Sequence, residues 1–442
     1  MVFSVYQSCK DDDDAYVPLN IQANLDTVQV FQGASIDISI FLNDVNIPEN
    51  GSLETSLPNN GSLAIQNIES NLNLGYITYT PNSDFFGEDS FQYTVCQEGN
   101  CATAEVIITI LPVSQVNFNL EAFPYDTLSE YNFYEGLMSD LNPGYGVLPY
   151  GLNSTLFSYY AKKKRFVWMP DGVSANYNGD AEALNFPTGA ILIKNFYYEN
   201  VLPQNTTKII ETRLMIKQEN EWTFANYVWN DSQTEAFFTT SGSVHSFDWV
   251  TDSGETKSIN YQVPPFSQCF SCHNSYGVAL PIGPKPQNLN RDYNYNDGIQ
   301  NQLEKWKAMD YLSDSMPETI VSTVDYNDTS QPIELRFRSY VDINCAHCHS
   351  EQSLCDYRPL RLAFNETLDN TNMGVCVEPD QIINPTLSLI ITPGIPTKSA
   401  MYFRLNSVED EFRMPLIGRT LQHEEGLQLL ENYINSLNTN CE

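Results

Sequence analysis

Two copies of a Cys-x-x-Cys-His pattern lie in the second half of this 442-residue chain. Their cysteines and histidines are Cys269, Cys272 and His273 in the first copy, and Cys345, Cys348 and His349 in the second. Two thiols at this spacing can each form a thioether to a vinyl group of one haem, and the adjacent imidazole can then ligate the iron. The pattern therefore predicts two covalently bound haem c groups.

The main alternative is a structural zinc site, because paired Cys-x-x-Cys motifs also bind zinc. Zinc ribbons usually separate their two pairs by about 15–20 residues, whereas 72 residues lie between Cys272 and Cys345. A thioredoxin-like dithiol would need a βαβ context, which the sequence around the motifs does not show. The spacing favours haem over both alternatives.

The sixth ligand of each iron decides what the haem does. A methionine there favours electron transfer, whereas an open position admits small ligands such as peroxide. Met414 is followed by Pro415 and lies 65 residues after His349, just before an amphipathic helix. That is the position of the methionine loop in small c-type cytochromes, so we predict Met414 as the ligand of the second haem, with Met401 in reserve.

The ligand of the first haem is less clearly indicated. Met316, also followed by a proline, lies 43 residues after His273 in a predicted loop, and we predict it as the ligand. Met309 falls on the apolar face of a predicted helix and is better explained as core. His245 and His423 are alternative ligands.

The charge of the chain is strongly acidic, with 55 Asp and Glu against 22 Lys and Arg and a formal net charge of −33. This balance argues against nucleic acid as a partner, because phosphate backbones are held by Lys and Arg. It would instead steer encounters with a basic redox protein. No apolar run approaches the ~18 residues of a membrane span.

The first 18 residues contain Cys9, then Lys10 and four aspartates. This segment resembles the processed start of lipoproteins from the Bacteroidetes. The resemblance implies a lipid on Cys9, an acidic tether over residues 1–18 and a place in the cell envelope. The protein would then be an outer-membrane lipoprotein facing the periplasm or the cell surface, held by its lipid anchor alone. The alternative is an ordinary cysteine in a frayed terminus.

Residues 19–112 alternate short apolar segments with turn residues, as in a β-sandwich. In three segments the apolar residues share one face: Ile36, Ile38 and Ile40; Phe91, Tyr93 and Val95; and Val106, Ile108 and Ile110. The run from Tyr76 to Val95 resembles the cadherin-like or Ig-like repeats of bacterial surface proteins. Cys96 and Cys101 flank a predicted hairpin tip, where a disulfide would indicate an oxidising compartment.

Residues 113–265 are rich in aromatic and β-forming residues and predict a second, larger β domain. Their basic run Lys162–Arg165 is best explained as a solvated strand edge, with docking to haem propionates or to an acidic partner as the alternative. Arg404, Arg413 and Arg419 surround the predicted methionine ligand and could also pair with propionates, although surface exposure is the default for arginine.

From residue 266 onward, helical spacing replaces strand alternation. We predict a mainly α-helical dihaem cytochrome c domain here, with haem subdomains at 266–335 and 336–442. The helical positions are Ile299, Leu303, Trp306 and Met309, and then Leu427, Leu430, Tyr433, Ile434 and Leu437. Cys355 and Cys376 could form a disulfide that leaves Cys441 unpaired, but connectivity is not readable from sequence.

Six segments carry a family resemblance: LFSYYAKKKRF at 156–166, FPTG at 186–189, ETRL at 211–214, GPKPQNLN at 283–290, NCAHCH at 344–349 and MP at 414–415. On these segments the chain from about residue 150 resembles a family of secreted bacterial dihaem c-type cytochromes with a β-rich domain before the haem region. The resemblance implies haem binding and electron transfer, and it supplies no substrate. The Ig-like module is an addition to that pattern.

The leading functional hypothesis is an extracytoplasmic dihaem c-type cytochrome that passes single electrons to or from a redox partner. A dihaem peroxidase, in which one haem has an open distal position, is the competing enzyme class. The third hypothesis is a surface-binding protein whose β domains bind a glycan or protein and whose haems are accessory.

Overall fold

The computed structural model of the chain describes residues 20–68 and 71–441. Cys9 and the whole predicted tether, residues 1–18, lie outside these residues. The chain forms two compact units, Met1–Ser114 and Gln115–Glu442. In the described part of the chain, none of the helices has the length and apolar character that crossing a membrane requires.

The first unit is a β-sandwich of a four-stranded and a three-stranded sheet. Its strands β1 to β7 are Asp26–Phe31, Ile36–Ile38, Ser52–Thr55, Gly61–Gln66, Tyr76–Pro81, Gly87–Gln97 and Asn100–Leu111. One sheet has the order β1-β7-β6-β3 and the other β2-β5-β4, and β1 runs parallel to β7. The alternating positions predicted to share a face form the core, where Phe91, Tyr93 and Val106 are at most 2% exposed.

The hairpin of β6 and β7 carries the predicted disulfide. Cys96 and Cys101 are directly paired in the register of the two strands and are joined by a disulfide bond. The sequence prediction for this pair is confirmed.

The second unit is built around an eight-stranded antiparallel sheet. Its strands β8 to β15 are Leu148–Tyr150, Lys162–Trp168, Ile191–Val201, Thr206–Lys217, Trp222–Trp229, Ala236–Phe238, Ser243–Val250 and Thr256–Val263. Strands β8 to β13 lie in chain order, and the end of β10 also pairs with β14, which pairs with β15. Two small hairpins follow, formed by β16 (Asn274–Ser275) with β17 (Val278–Ala279) and by β18 (Asp292–Tyr295) with β19 (Gly298–Asn301).

The helices of the second unit are short. Helices α1 to α6 are Cys269–Cys272, Pro286–Leu289, Gln302–Ala308, Ile333–Val341, Ala400–Asn406 and Glu424–Ser436, and a π-helical turn at Asp342–Ala346 continues α4. Buried Leu427, Leu430, Tyr433 and Ile434 lie in α6, as their spacing predicts. Ile299 does not join α3, because it lies in strand β19 and is 73% exposed.

The prediction of a mainly α-helical C-terminal domain is therefore met only in part, since the chain is strongly β-rich and only 16% helical. Between residues 347 and 399 the backbone consists mostly of turns and bends. Pro379, Pro385, Pro393 and Pro396 fall in this stretch. Proline lacks the N–H group that a helix interior needs, so these prolines disfavour long helices in this stretch.

Two of the hydrophobic cores of the second unit lie around the motifs. One core joins Val167 and Leu192 of the large sheet to Trp306 and Ile343, so the sheet and the segment after residue 266 share buried residues. The other core forms between α4 and α6, where the rings of Phe337 and Tyr433 stack with centroids 4.5 Å apart. These cores fix the sheet and α4, the elements that position the two motifs.

The disulfide expected between Cys355 and Cys376 is wrong. Cys376 pairs instead with Cys441, 65 residues further along the chain, and Cys355 remains a buried free thiol. Sequence spacing carries no information on which distant cysteine the fold brings close. The bond attaches the C-terminal segment to the loop after the second motif.

Candidate haem sites

The first motif begins on helix α1, a single helical turn. Residues three apart on a helix lie on the same side, so Cys269 and Cys272 face the same way, and His273 follows directly. The Nδ1 atom of His273 lies 2.8 Å from the carbonyl oxygen of Leu280. A proton on Nδ1 donates this hydrogen bond, so the Nε2 lone pair is left for a metal, the arrangement typical of metal-ligating histidines. Desolvation by the surrounding protein lowers the pKa of His273 to about 3, which keeps the ring neutral.

The first motif and the large sheet together line a cavity of about 290 Å³. Cys269, Cys272 and His273 line this first cavity, together with residues of strands β9, β10 and β11. The ring of Phe224 lies 5.2 Å from the ring of His273. The cavity gives a flat group attached to the two thiols a space next to the imidazole.

The structure does not bring Met316 to this cavity. Met316 packs against the hydrophobic core that contains Trp306 and is absent from the cavity lining. Met215, on strand β11, does line the cavity. The sequence prediction was restricted to methionines that follow the motif, as in small cytochromes, whereas Met215 precedes it on strand β11.

The second motif begins in the π-helical turn that continues α4. The backbone N–H groups of Cys348 and His349 both donate to the carbonyl of Cys345 at 3.0 Å, which closes the motif into a tight turn. Burial lowers the pKa of His349 to about 4, so this imidazole is also neutral. Its Nδ1 atom is buried and has no hydrogen-bond partner among the described residues.

A second cavity, of about 110 Å³, contains the second motif and the predicted distal ligand. Cys345, His349 and Met414 all line it, and so does the reserve candidate Met401. The remaining lining is largely apolar, with Phe337 among its residues. The thiol of Cys345, the imidazole of His349 and the thioether of the predicted ligand Met414 thus line the same cavity.

Arg419 holds the methionine loop. It is 2% exposed, and its guanidinium group donates to the backbone carbonyls of Met414 at 3.0 Å, Arg404 at 3.0 Å, Ser407 at 2.8 Å and Leu421 at 3.2 Å. Four of its five N–H donors thus bind backbone carbonyls. Arg419 is therefore buried and not a surface residue, the default for arginine, and its pairing with a propionate stays a prediction.

The other two arginines near Met414 reach the cavities. Arg404 lines the second cavity and donates to the carbonyl of Phe412 at 3.2 Å. Arg413 lines the first cavity and forms an ion pair with Asp410. Propionate pairing by these two arginines stays a prediction.

Neither alternative histidine lines either motif's cavity. The ring of His423 stacks on Phe157 with centroids 4.0 Å apart, and its Nδ1 atom lies 3.1 Å from the hydroxyl of Tyr340. His245 lies on β14 beside the hydroxyl of Ser243 at 2.9 Å. Both histidines therefore have structural partners of their own.

The two motifs meet at their second cysteines. The ligand atoms of Cys272, Cys348 and His347 lie within 4.8 Å of one another. Structural zinc is almost always held by four ligands, and among the described residues no fourth Cys, His, Asp or Glu belongs to this group. The arrangement does not assemble the two pairs of thiols that a zinc ribbon would use.

The state of the cysteines fits thioether attachment. Among the described residues, four cysteines form two disulfides, while Cys355 and the four motif cysteines stay unbonded. Disulfides persist in oxidising compartments, where free thiols need another explanation. The cavities, the His273 tautomer and the free thiols together fit two haem groups held by the two motifs.

Comparison with known proteins identifies only the N-terminal unit. The family of bacterial Ig domains matches residues 14–109, and no curated protein matches the chain. Among solved structures, a variant of an endo-fucoidan hydrolase from glycoside hydrolase family 107 is 10% identical over 49% of this chain and 30% of its own, with a TM-score of 0.19. The Yersinia pseudotuberculosis adhesin InvE is 12% identical over 55% of this chain and 57% of its own, with a TM-score of 0.17. The chain thus matches less than two thirds of either protein, and similarity this weak carries no argument about fold or function.

Proposed function

We propose that this protein is an extracytoplasmic dihaem c-type cytochrome that passes single electrons to or from a redox partner. The observation that carries the proposal is the second cavity, lined together by Cys345, His349 and Met414. A haem c group bound at each motif would supply a one-electron Fe(III)/Fe(II) couple. We also propose, from the sequence, that Cys9 carries a lipid and that the redox partner is a basic protein.

The second motif and Met414 would together hold one cofactor. The Cys345 and Cys348 thiols would attach it, and His349 and Met414 would be its ligands. Arg419 anchors the Met414 backbone through its own hydrogen bonds, so the thioether would be presented by the fold rather than by the cofactor. A methionine ligand raises the reduction potential and suits electron transfer.

The closeness of Cys272 and Cys348 supports transfer between the two groups. These thiols, one from each motif, lie within 4.8 Å of one another. Two cofactors attached there would be neighbours, so an electron that enters at one motif would have a short path to the other.

A dihaem peroxidase is the second candidate, and the first cavity supports it. At about 290 Å³ against 110 Å³, this cavity is the larger of the two, and polar side chains such as Asn226 and Gln262 line it. A distal position with room for a small polar ligand is what peroxide chemistry needs.

Optical titration of the purified protein tests both candidates. An electron carrier would show two low-spin haems that take up one electron each and bind neither cyanide nor carbon monoxide. A peroxidase would bind cyanide at one haem only and turn over peroxide. A protein without a c-type spectrum would contradict both.

A further inference from the structure

A row of three cations crosses the large sheet beneath the first cavity. Lys194 on β10 is paired in register with Arg165 on β9 and with Arg213 on β11. Residues directly opposite each other in antiparallel strands project from the same face. Accordingly, all three side chains line the first cavity. We call Arg165, Lys194 and Arg213 the cation row.

The cation row lowers the stability of the folded chain. Like charges placed directly opposite each other destabilise a sheet, and a buried charge is costly unless it is paired. Arg165 is 7% exposed, and its Nη2 atom has no hydrogen-bond partner among the described residues. Burial, with the charges of Arg165 and Lys163, lowers the pKa of Lys194 well below its usual range.

Glu211, a buried carboxylate, lies beside the row and, among the described residues, forms an ion pair only with Arg213. Glu211 binds Arg213 through two contacts of 3.0 Å and 2.5 Å and also accepts a hydrogen bond from Tyr261 at 2.6 Å. Arg165 and Lys194 form no ion pair with any residue in the described ranges. Arg165 therefore presents unpaired positive charge to the cavity, and beside it burial disfavours the charged form of Lys194 until an anion binds. Such a cluster is unusual in a chain whose net charge is −33.

We propose that the cation row is a binding site for a dianionic group. The forked guanidinium of Arg165 and the ammonium of Lys194 are the donors that carboxylates and phosphates prefer. Two sources have this chemistry. One is the propionate pair of a haem attached to Cys269 and Cys272 across the same cavity, a form that rests on the proposed function. The other is a small free dianion, for which the proposed function is not needed.

The test uses the full-length chain in two forms, with haem and with all four motif cysteines changed to Ser. Lys194→Met and Arg165→Met remove one cation each, and Lys194→Arg restores the charge. Lys164→Met is the matched control, because Lys164 lies on the same strand as Arg165 but is exposed on the opposite face. Thermal unfolding is followed with increasing inorganic phosphate or succinate.

In the haem-free chain we expect phosphate or succinate to raise the melting temperature in a saturable way. Lys194→Met and Arg165→Met should weaken the apparent affinity roughly tenfold or more, since a charged hydrogen bond is lost, while Lys194→Arg and Lys164→Met should not. Without anion, Lys194→Met should raise the melting temperature, because it removes a desolvated amine that forms no ion pair within the described residues.

The haem-loaded protein distinguishes the two sources. If propionates occupy the row, added phosphate no longer stabilises the protein, and Lys194→Met lowers the reduction potential of one haem only. If a free dianion is the occupant, phosphate still stabilises the loaded protein. The proposal is overturned if phosphate and succinate do not stabilise the haem-free chain and Lys194→Met shifts neither haem potential. Should the chain carry no haem at all, the haem-free measurements alone decide the question.

Discussion

Arg419 donates a hydrogen bond from Nε to the backbone carbonyl of Met414 at 3.0 Å. Together with its bonds to three further carbonyls, this contact makes one buried guanidinium the anchor of the loop that presents the predicted iron ligand. The hydrogen bonds of Arg419 therefore hold the Met414 backbone in place without any contact to a cofactor.

Replacing Arg419 should loosen this loop. Arg419→Met removes the side-chain donor of four partly buried carbonyls, of which only that of Arg404 keeps a second donor, the Met414 N–H at 3.1 Å. We expect the protein to lose about 2–4 kcal/mol of stability together with the methionine–iron charge-transfer band of the oxidised second haem. Arg336→Met is the control, since Arg336 donates through Nε to a single backbone carbonyl, that of Tyr326, at 2.8 Å. Retention of the band in Arg419→Met would show that the loop does not depend on this anchor.

Volume-conserving substitutions can show whether Met414 or Met401 is the ligand of the second haem. Such substitutions usually lower the free energy of unfolding by less than about 1.5 kcal/mol. Met414→Leu should lower the potential of one haem and open that haem to carbon monoxide, because the thioether ligand is lost. Met401→Leu should leave both properties unchanged. Spectroelectrochemistry with and without carbon monoxide measures the difference, and the reverse pattern would assign the ligand to Met401.

Met215 and Met316 compete for the first haem. Since Met215 lines the first cavity and Met316 does not, we expect Met215→Leu to alter the oxidised spectrum of the first haem. Met316→Leu serves as the comparison and should have no effect. If both variants leave the spectrum unchanged, the first haem takes neither methionine, which would strengthen the peroxidase candidate.

The Cys376–Cys441 disulfide should stabilise the second unit. It closes a loop with a sequence separation of 65, and loop-closure entropy gives about 4 kcal/mol for such a loop. Cys441→Ser should therefore lower the urea midpoint of the second unit strongly, whereas Cys355→Ala, which removes a free thiol, should change it little. Equal effects of the two variants would contradict the pairing.

Local patterns in the sequence predicted several parts of this structure. The alternating residues around Tyr93, the hairpin disulfide at Cys96 and the apolar face of α6 all depend on neighbours close in sequence. Met414 was predicted from its spacing to His349, and the structure places both in the lining of one cavity; its role as an iron ligand stays a prediction. In each case the information lies within one element or one motif.

The remaining features depend on which distant strands become neighbours. Lys194 and Arg213 each occur as a charged residue within a largely apolar strand segment, and Arg165 ends the basic run that begins at Lys162. Only the register of β9, β10 and β11 shows that the three residues face one another. The Cys376–Cys441 bond and the place of Met215 are likewise set by tertiary packing, which sequence spacing does not contain.

The mass of the denatured protein tests the central claim most directly. The protein is produced in a host that matures a reference c-type cytochrome in the same culture, so a failure of the host is recognised at once. We expect the mass of the bare chain, with its lipid if Cys9 is modified, plus two covalently attached haems. The variants Cys269→Ser/Cys272→Ser and Cys345→Ser/Cys348→Ser should each retain one haem. A wild-type chain without added haem mass, beside a correctly matured reference, would contradict the account.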